Sequence, residues 1–354
     1  MGEKMRIVYL VPTNKFAGAE NMTLLLAQQM KKQHHVLFVC PDGPLVKRVE
    51  EAGVQHETVQ QISVGEIKRI EREYHPDLFH AVDFRTSTLC AMARVPFVAH
   101  LHNNPRWLSR ICVNTMAFAF FAMSARKVIC VSNSVVDEFV LNWFIKRKTV
   151  VVENVIDPHA VLEKAEQPIQ GGSIPNVVDV GFVGRITAQK DVPRFVKILS
   201  LVKEKRNQLS AVIVGDGELV EEVKSKIHAY NLDQDVQLMG FQENPYPWMK
   251  RMKVMLMPSI WEGFGLVAVE AMLLGCPVLA TPVGGLKDVI GQASGNLCYS
   301  DEQFVNRCCA LLDNADALEK ASEQAAARAL KFCKMESYVK KMEQIYQDAL
   351  KKGK

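Results

Sequence analysis

The chain has 354 residues, of which 48% are apolar and 23% charged, and its formal net charge is +4. That length suits two ordinary folded domains, and so small a positive balance gives no argument for a nucleic-acid partner. The nine cysteines (40, 90, 112, 130, 276, 298, 308, 309 and 333) are odd in number and scattered, with no C-x-x-C pair, which points to a reducing compartment and away from a disulfide framework or a structural metal.

The run Arg6 to Val11 is too short for the apolar core of a signal peptide, and no small-residue cleavage site follows it, so it reads as a first strand. No window offers about 20 unbroken apolar residues, and no membrane span is predicted. After Pro12-Thr13-Asn14, a loop through Glu20 opens a helix from Asn21 to Lys31. Gly18 in that loop permits close approach of backbone to a ligand; a plain strand-to-helix turn is the bland alternative. Val36 to Cys40 is a second strand, Leu45 to Ala52 a helix, and Leu78 to Ala81 a further strand behind the breaker His75-Pro76-Asp77. Pro96 to His102 is a strand carrying two histidines, His100 and His102, two residues apart and so on one face. They stand before Asn103-Asn104-Pro105, at the strand end where such sheets bind ligands.

Arg106 to Lys127 reads as one apolar helix with basic ends, either packed under the sheet or lying on a membrane surface or lipid acceptor. Val128 to Ser132 is a strand, with Ser132-Asn133-Ser134 capping a helix from Val135 to Trp143. Val150 to Val152 is another strand, followed by the turn Glu153 to Pro158. Glu163 to Pro175 is polar, with proline and paired glycine, and is the best domain boundary. The alternation of short apolar strands with helices predicts doubly wound parallel sheets.

In the second half, Val177 to Val183 is a strand ending in Gly184-Arg185, with Lys190 farther along the same loop. Two cations at a strand's C-terminal edge can stabilise charge on a departing diphosphate. Ser210 to Val214 is a strand, Gly215-Asp216-Gly217 turns into a helix from Glu218 to Tyr230, and Val236 to Met239 is a strand ending at Gly240-Phe241. Asp233-Gln234-Asp235 precedes a strand and reads as a solvated turn. Val254 to Met257 then leads through Trp261-Glu262-Gly263-Phe264-Gly265 into a helix from Leu266 to Leu274, stopped by Gly275, and a strand from Pro277 to Ala280. Such a unit aims free helix N-terminal N–H groups at an anion. Glu262 and Glu270 stand eight residues apart, about two turns, and are expected on one helical side. A carboxylate among the apolar neighbours of Glu270 is costly to bury unless hydrogen-bonded, and sugar or ribose hydroxyls would satisfy it. Thr281 to Gly285 closes this region, Asn296 to Tyr299 reads as a last strand, and the chain is helical from Ser322 to Lys354.

The segment Glu262 to Glu270 closely resembles the paired-glutamate signature of retaining nucleotide-sugar glycosyltransferases of the family 4-like, group 1 kind, and the resemblance extends along nearly the whole chain. It implies two Rossmann-like doubly wound domains facing across a cleft (GT-B). The expected division is an acceptor-binding domain 1–165, a linker 166–176, a donor-binding domain 177–335 and a C-terminal helix 336–354 crossing back. In the family the first glutamate contacts donor-sugar hydroxyls and the second holds the ribose. Arg185 and Lys190 match the pyrophosphate-binding pair, and His102 matches a histidine beside the reacting sugar, with His100 its neighbour. Gly18, Gly184, Gly215, Phe241 and the backbone of Gly263, Phe264, Gly265 and Leu266 are expected to line the donor. Val155 stands where the family turn carries glycine.

The resemblance implies transfer of a sugar from a nucleotide diphosphate sugar, UDP ahead of GDP, with retention of configuration and no metal or cofactor. The expected acceptor is a glycan or lipid-linked glycan of bacterial surface polysaccharide, and the expected location is cytoplasmic, with peripheral contact at the inner membrane. The alternatives are a nucleotide-sugar epimerase and a non-catalytic nucleotide-sugar-binding subunit.

Overall fold

The computed structural model describes residues 4–15, 18–169 and 177–351. They form two compact units, Met1–Val155 with Met335–Lys354, and Ile156–Lys334. The first unit is built on seven strands: β1 (Arg6–Leu10), β2 (His35–Pro41), β3 (His56–Val59), β4 (Leu78–Val82), β5 (Phe97–Leu101), β6 (Lys127–Cys130) and β7 (Thr149–Val151), all parallel in the order β3-β2-β1-β4-β5-β6-β7. The second has five: β8 (Val178–Val183), β9 (Ala211–Val214), β10 (Val236–Gly240), β11 (Met252–Met257) and β12 (Val278–Ala280), also parallel, in the order β10-β9-β8-β11-β12.

The central strands are short apolar runs because helices cover both faces. Every residue of β4, β5 and β9 is buried, and that removes the polar alternation a half-solvated strand would show. In each sheet the chain winds one way from its first strand and then returns to that strand's other side. The order therefore reverses between β1 and β4 in the first unit and between β8 and β11 in the second. Diverging loops leave a crevice at such a reversal, beyond the carboxyl ends of the strands.

Local chemistry moves several expected boundaries. The helix expected over Arg106 to Lys127 is broken into a 3-10 turn, Arg106–Ser109, and the helix Val113–Ala122, with Lys127 already in β6. Cys112 stands extended at the N-cap; its N–H donates to Thr115 Oγ1 at 2.8 Å, and that hydroxyl donates to Arg110 O at 2.9 Å. The threonine thus competes with the helical ladder and resets the start. The helix expected from Val135 to Trp143 becomes two short pieces, Asn133–Asp137 and Asn142–Ile145, and Ser132 at the first cap bonds Ser134 Oγ at 2.7 Å.

The expected last strand is only an isolated bridge, Ala280 to Leu297. The expected run from Ser322 belongs to two helices, Ala315–Ala329 and Met335–Lys351, separated at the boundary between the units. The first crossing between the units falls after Val155, ahead of the expected 166–176 linker, because the helix Pro158–Ala165 packs on the helix Tyr246–Met249 of the second unit. Asn244 Nδ2 donates to Lys164 O at 2.8 Å in that contact. Most of the expected linker lies outside the described residues. Asp157 caps the helix Pro158–Ala165 through His159 N and Ala160 N, and Val155 has no positive φ, so the turn does not require glycine there.

Candidate active site

At the reversal in the second unit, the loop after β8 meets the loop after β11. Three contacts join them. Ile260 N donates to Gln189 O at 2.9 Å, Gln189 Nε2 donates to Trp261 O at 3.1 Å, and Lys190 Nζ pairs with Glu262 Oε2. Both side chains of that ion pair are only 12% exposed, so it is shielded enough for charge to matter. Two of the four charged side chains singled out in the sequence are thus in direct contact, although 72 residues separate them.

The loops are packed too closely for side chains at several glycines. Gly215 has φ +144°, and a Cβ there would overlap the carbonyl oxygen of Gly184. Gly184 differs: a Cβ there would make only ordinary contacts, with the Phe182 ring at 3.5 Å and Lys190 Cε at 4.0 Å, and it is the φ of +149° that favours glycine. A Cβ at Gly285 would come within 2.6 Å of Gly263 O, and Gly285 N donates to Glu262 O at 3.2 Å. Gly265 caps the helix Leu266–Leu273 with φ 98°, where a side chain would strike Leu286. Leu266 opens that helix, whose first N–H groups have no acceptor within it.

One expectation is corrected here. Glu262 and Glu270 do not share a helical side by spacing, because the helix begins after Gly265 and Glu262 lies in the irregular loop before it. Phe264 is 2% exposed and its ring meets Phe332 edge-on at 5.5 Å, so its side chain belongs to the core and only its backbone is left for a ligand. Arg185 is exposed and is not drawn into the Lys190–Glu262 contact. Phe241, 70% exposed beyond β10, is free of the core.

Glu270 has a partner that spacing gave no means of finding. Tyr246, the first residue of the helix Tyr246–Met249 after β10, donates its Oη to Glu270 Oε1 at 3.2 Å. Burial pushes the Glu270 carboxyl up to about 7, while the tyrosine and nearby Lys164 pull it down. Thr187 Oγ1 and Ser259 Oγ, one from each loop at the reversal, are buried without a hydrogen-bond partner. Asp233 and Asp235 face different partners, His228 at 3.4 Å and Lys203.

The first unit holds a different polar centre. His80 on β4 bonds His100 on β5 (Nε2 to Nδ1, 3.1 Å) and Tyr346 of the C-terminal helix (Nδ1 to Oη, 2.7 Å), and Tyr346 Oη is 3.2 Å from Tyr9 Oη on β1. The His102 ring packs on His100 with centroids 3.9 Å apart. Burial holds the His80 and His102 imidazoles down at about 3, and raises the Tyr9 and Tyr346 hydroxyls above the usual phenol range. The cluster is therefore uncharged at neutral pH. Both ring nitrogens of His102 are buried without a partner, which makes it a neutral hydrogen-bonding group in want of one.

Gly18 begins the helix Gly18–Met30, and the Phe16-Ala17 part of its loop lies outside the described residues. Asp83, which sequence reading passed over, stands at the β1/β4 reversal with φ 92° and accepts from Thr86 N at 2.9 Å.

Comparison with known proteins accounts for most of the chain. Residues 16–160 match the model described as Glycosyltransferase Family 4, and residues 163–328 the one described as Glycosyl transferases group 1. A glycosyltransferase of Methanocaldococcus jannaschii is 28% identical over 61% of this chain and 58% of its own length. The N-acetylgalactosamine-N,N'-diacetylbacillosaminyl-diphospho-undecaprenol 4-alpha-N-acetylgalactosaminyltransferase of Campylobacter jejuni is 26% identical over 72% of this chain and 66% of its own length. In both cases the match spans less than two thirds of the relative. The crystal structure of Anabaena HepE in complex with UDP and glucose superposes with a TM-score of 0.84 at 21% identity, covering 96% of this chain and 98% of that one. With two parallel-sheet units and these two consecutive matches, the chain belongs to the GT-B glycosyltransferases that join a family 4 domain to a group 1 domain.

Proposed function

We propose that this glycosyltransferase moves a sugar, with retention of configuration, from a nucleotide diphosphate sugar to a glycan or lipid-linked glycan acceptor. The observation that carries the reading is the shielded Lys190–Glu262 pair, which bridges the two loops at the β8/β11 reversal beside the free N-terminus of the helix Leu266–Leu273. In this reading the diphosphate lies against Lys190, Arg185 and the N–H groups of Gly265 and Leu266, where a cation and a helix terminus both favour negative charge. The charge that builds as the bond from the anomeric carbon to the diphosphate oxygen breaks is offset by the two cations. Glu262, held by Lys190 until the donor arrives, accepts from donor-sugar hydroxyls. Glu270 and Tyr246 take the ribose, and the backbone near Gly215 and Phe241 meets the base.

Retention follows if the acceptor hydroxyl attacks on the face the diphosphate leaves, giving its proton to a diphosphate oxygen. His102 and the Gly18 turn are assigned to the acceptor, with His102 donating or accepting hydrogen bonds in its neutral form. A UDP-sugar is preferred on the likeness to HepE, and a lipid-linked glycan acceptor on the likeness to the Campylobacter jejuni enzyme. The protein would work at the cytoplasmic face of the membrane.

Melting curves with a panel of UDP- and GDP-sugars test the donor assignment. One donor should raise the Tm, and Glu270→Ala should abolish that rise. No shift with any nucleotide would overturn the assignment. The anomeric coupling of the product in proton NMR tests retention, and an inverted linkage would refute it.

A further inference from the structure

The helix Val113–Ala122 is apolar on two sides. Phe118 meets Phe84 and Phe139 edge-on at 4.7 and 5.5 Å, and Ala119 and Ala122 are buried with it. On the opposite side Val113, Met116, Phe120 and Met123 follow one another at spacings of three, four and three, which aligns them in a single stripe. They are 82, 59, 65 and 40% exposed. Beside them, on the neighbouring helix Asn142–Ile145, Trp143 is 65% exposed and stacks on Phe144 at 3.7 Å. Of the sixteen large apolar side chains exposed among the described residues, eight lie between Ile111 and Phe144. Single exposed apolar residues are ordinary, but a contiguous set marks a surface that is covered in use.

Charge identifies what covers it. From Arg106 to Lys148 the chain carries seven lysines and arginines against two acids, an excess larger than the net charge of the whole protein. Lys146 and Arg147 are exposed directly after the tryptophan helix. Lys148 donates to the carbonyl of Met123, at the end of the stripe, and helps line a surface cavity of about 510 Å³ with Arg94 and Arg126. An apolar stripe with an interfacial tryptophan and a cationic flank matches the boundary between anionic headgroups and acyl chains. A second protein would need acids to meet the same flank. Among the described residues no helix is long and apolar enough to cross a membrane, so this contact lies on the surface.

We infer that this face docks on an anionic lipid bilayer, with Val113, Met116, Phe120 and Trp143 entering the interface and Lys146 and Arg147 meeting the headgroups. The segment begins four residues after His102, so docking would bring the assigned acceptor end of β5 to the membrane. This extends the lipid-linked acceptor reading above, but its test needs no sugar transfer.

The purified full chain is sedimented with vesicles of phosphatidylcholine alone and with a third of phosphatidylglycerol. The wild type should bind the anionic vesicles, bind the neutral ones at least about tenfold less, and be released by salt. Phe120→Ser with Trp143→Ser, and separately Lys146→Glu with Arg147→Glu, should each lower binding about tenfold or more. Circular dichroism and nucleotide-induced stabilisation should match the wild type in both, since these side chains are exposed and lie in the other unit from the donor loops. Failure of the wild type to bind anionic vesicles, or equal binding by either double variant, would overturn the inference. So would a wild-type dimer made monomeric by Phe120→Ser with Trp143→Ser, which would identify a second copy as the occupant. Loss of vesicle binding with nucleotide stabilisation intact separates this inference from the donor assignment.

Discussion

The two units share a parallel, doubly wound plan and a reversal of strand order, yet they furnish it with opposite chemistry. In the five-stranded unit the reversal is closed by a shielded ion pair, Lys190 to Glu262, beside an open helix end. In the seven-stranded unit the corresponding polar centre is the uncharged set Tyr9, His80, His100 and Tyr346, with His102 packed on it. A charged, partly shielded site suits an anion whose charge grows during reaction. A neutral, hydrogen-bonding site suits hydroxyls. On this view the same architecture has been divided between a leaving diphosphate and an accepting sugar.

The sharpest way to break that contrast is to remove the cation. Lys190→Met should lower kcat/KM for transfer by about 10²- to 10³-fold, measured with radiolabelled or mass-detected product. It should also lower stability, because Glu262 is left shielded and unpaired. The double variant Lys190→Met with Glu262→Gln should recover the melting temperature and none of the activity. A recovery of both would mean that the pair is structural.

Next in size is the close approach of the loops after β8 and β9. Gly215→Ala forces a Cβ into the Gly184 carbonyl at a φ of +144°, and should cost about 2–4 kcal/mol, read as a lower midpoint in urea. An unchanged midpoint would mean the loops can separate freely.

Glu270 supplies a pH signature for the charged unit. Its folded-state pKa of about 7 lies above the ordinary 4.5, so the folded chain holds a proton that the unfolded chain releases. The contribution is complete below pH 4.5 and is lost as pH rises through 7, amounting to at most about 3 kcal/mol. Glu270→Gln should flatten the fall in stability between pH 5 and 7. An identical pH profile in the variant would show that the carboxylate is not desolvated.

In the neutral unit, Tyr346→Phe removes the hydroxyl shared by His80 and Tyr9 and should cost about 1–3 kcal/mol, loosening the C-terminal helix in hydrogen exchange. Nucleotide binding should be unaffected. A matching loss of nucleotide affinity would blur the division between the units.

Much of the proposed donor site was legible because its parts are local. Gly265 and Leu266 open a helix directly after a buried strand, and Gly184-Arg185 follows another, so strand ends and helix starts could be read from short windows. The pairing of Lys190 with Glu262 was not legible, since only the crossover from β10 to β11 brings the two loops together. Tyr246 escaped for the same reason, and the neutrality of His102 depends on burial that no spacing reports. The false two-turn relation of Glu262 to Glu270 came from extending helical geometry through a loop. The segment after β5 was misread as one helix because its apolar content hid the local competition at Thr115. Its second apolar face, the basis of the membrane inference, could be separated from a core face only once exposure was known.

The central claim is that the charged reversal of the second unit captures a nucleotide diphosphate. Titration calorimetry with UDP and GDP on the full chain tests it most directly. The account predicts one nucleotide bound per chain, an affinity about 10²-fold weaker in Lys190→Met with Glu262→Gln, and wild-type affinity in His102→Ala. Undiminished nucleotide affinity in the double variant, or affinity lost with His102 instead, would contradict it.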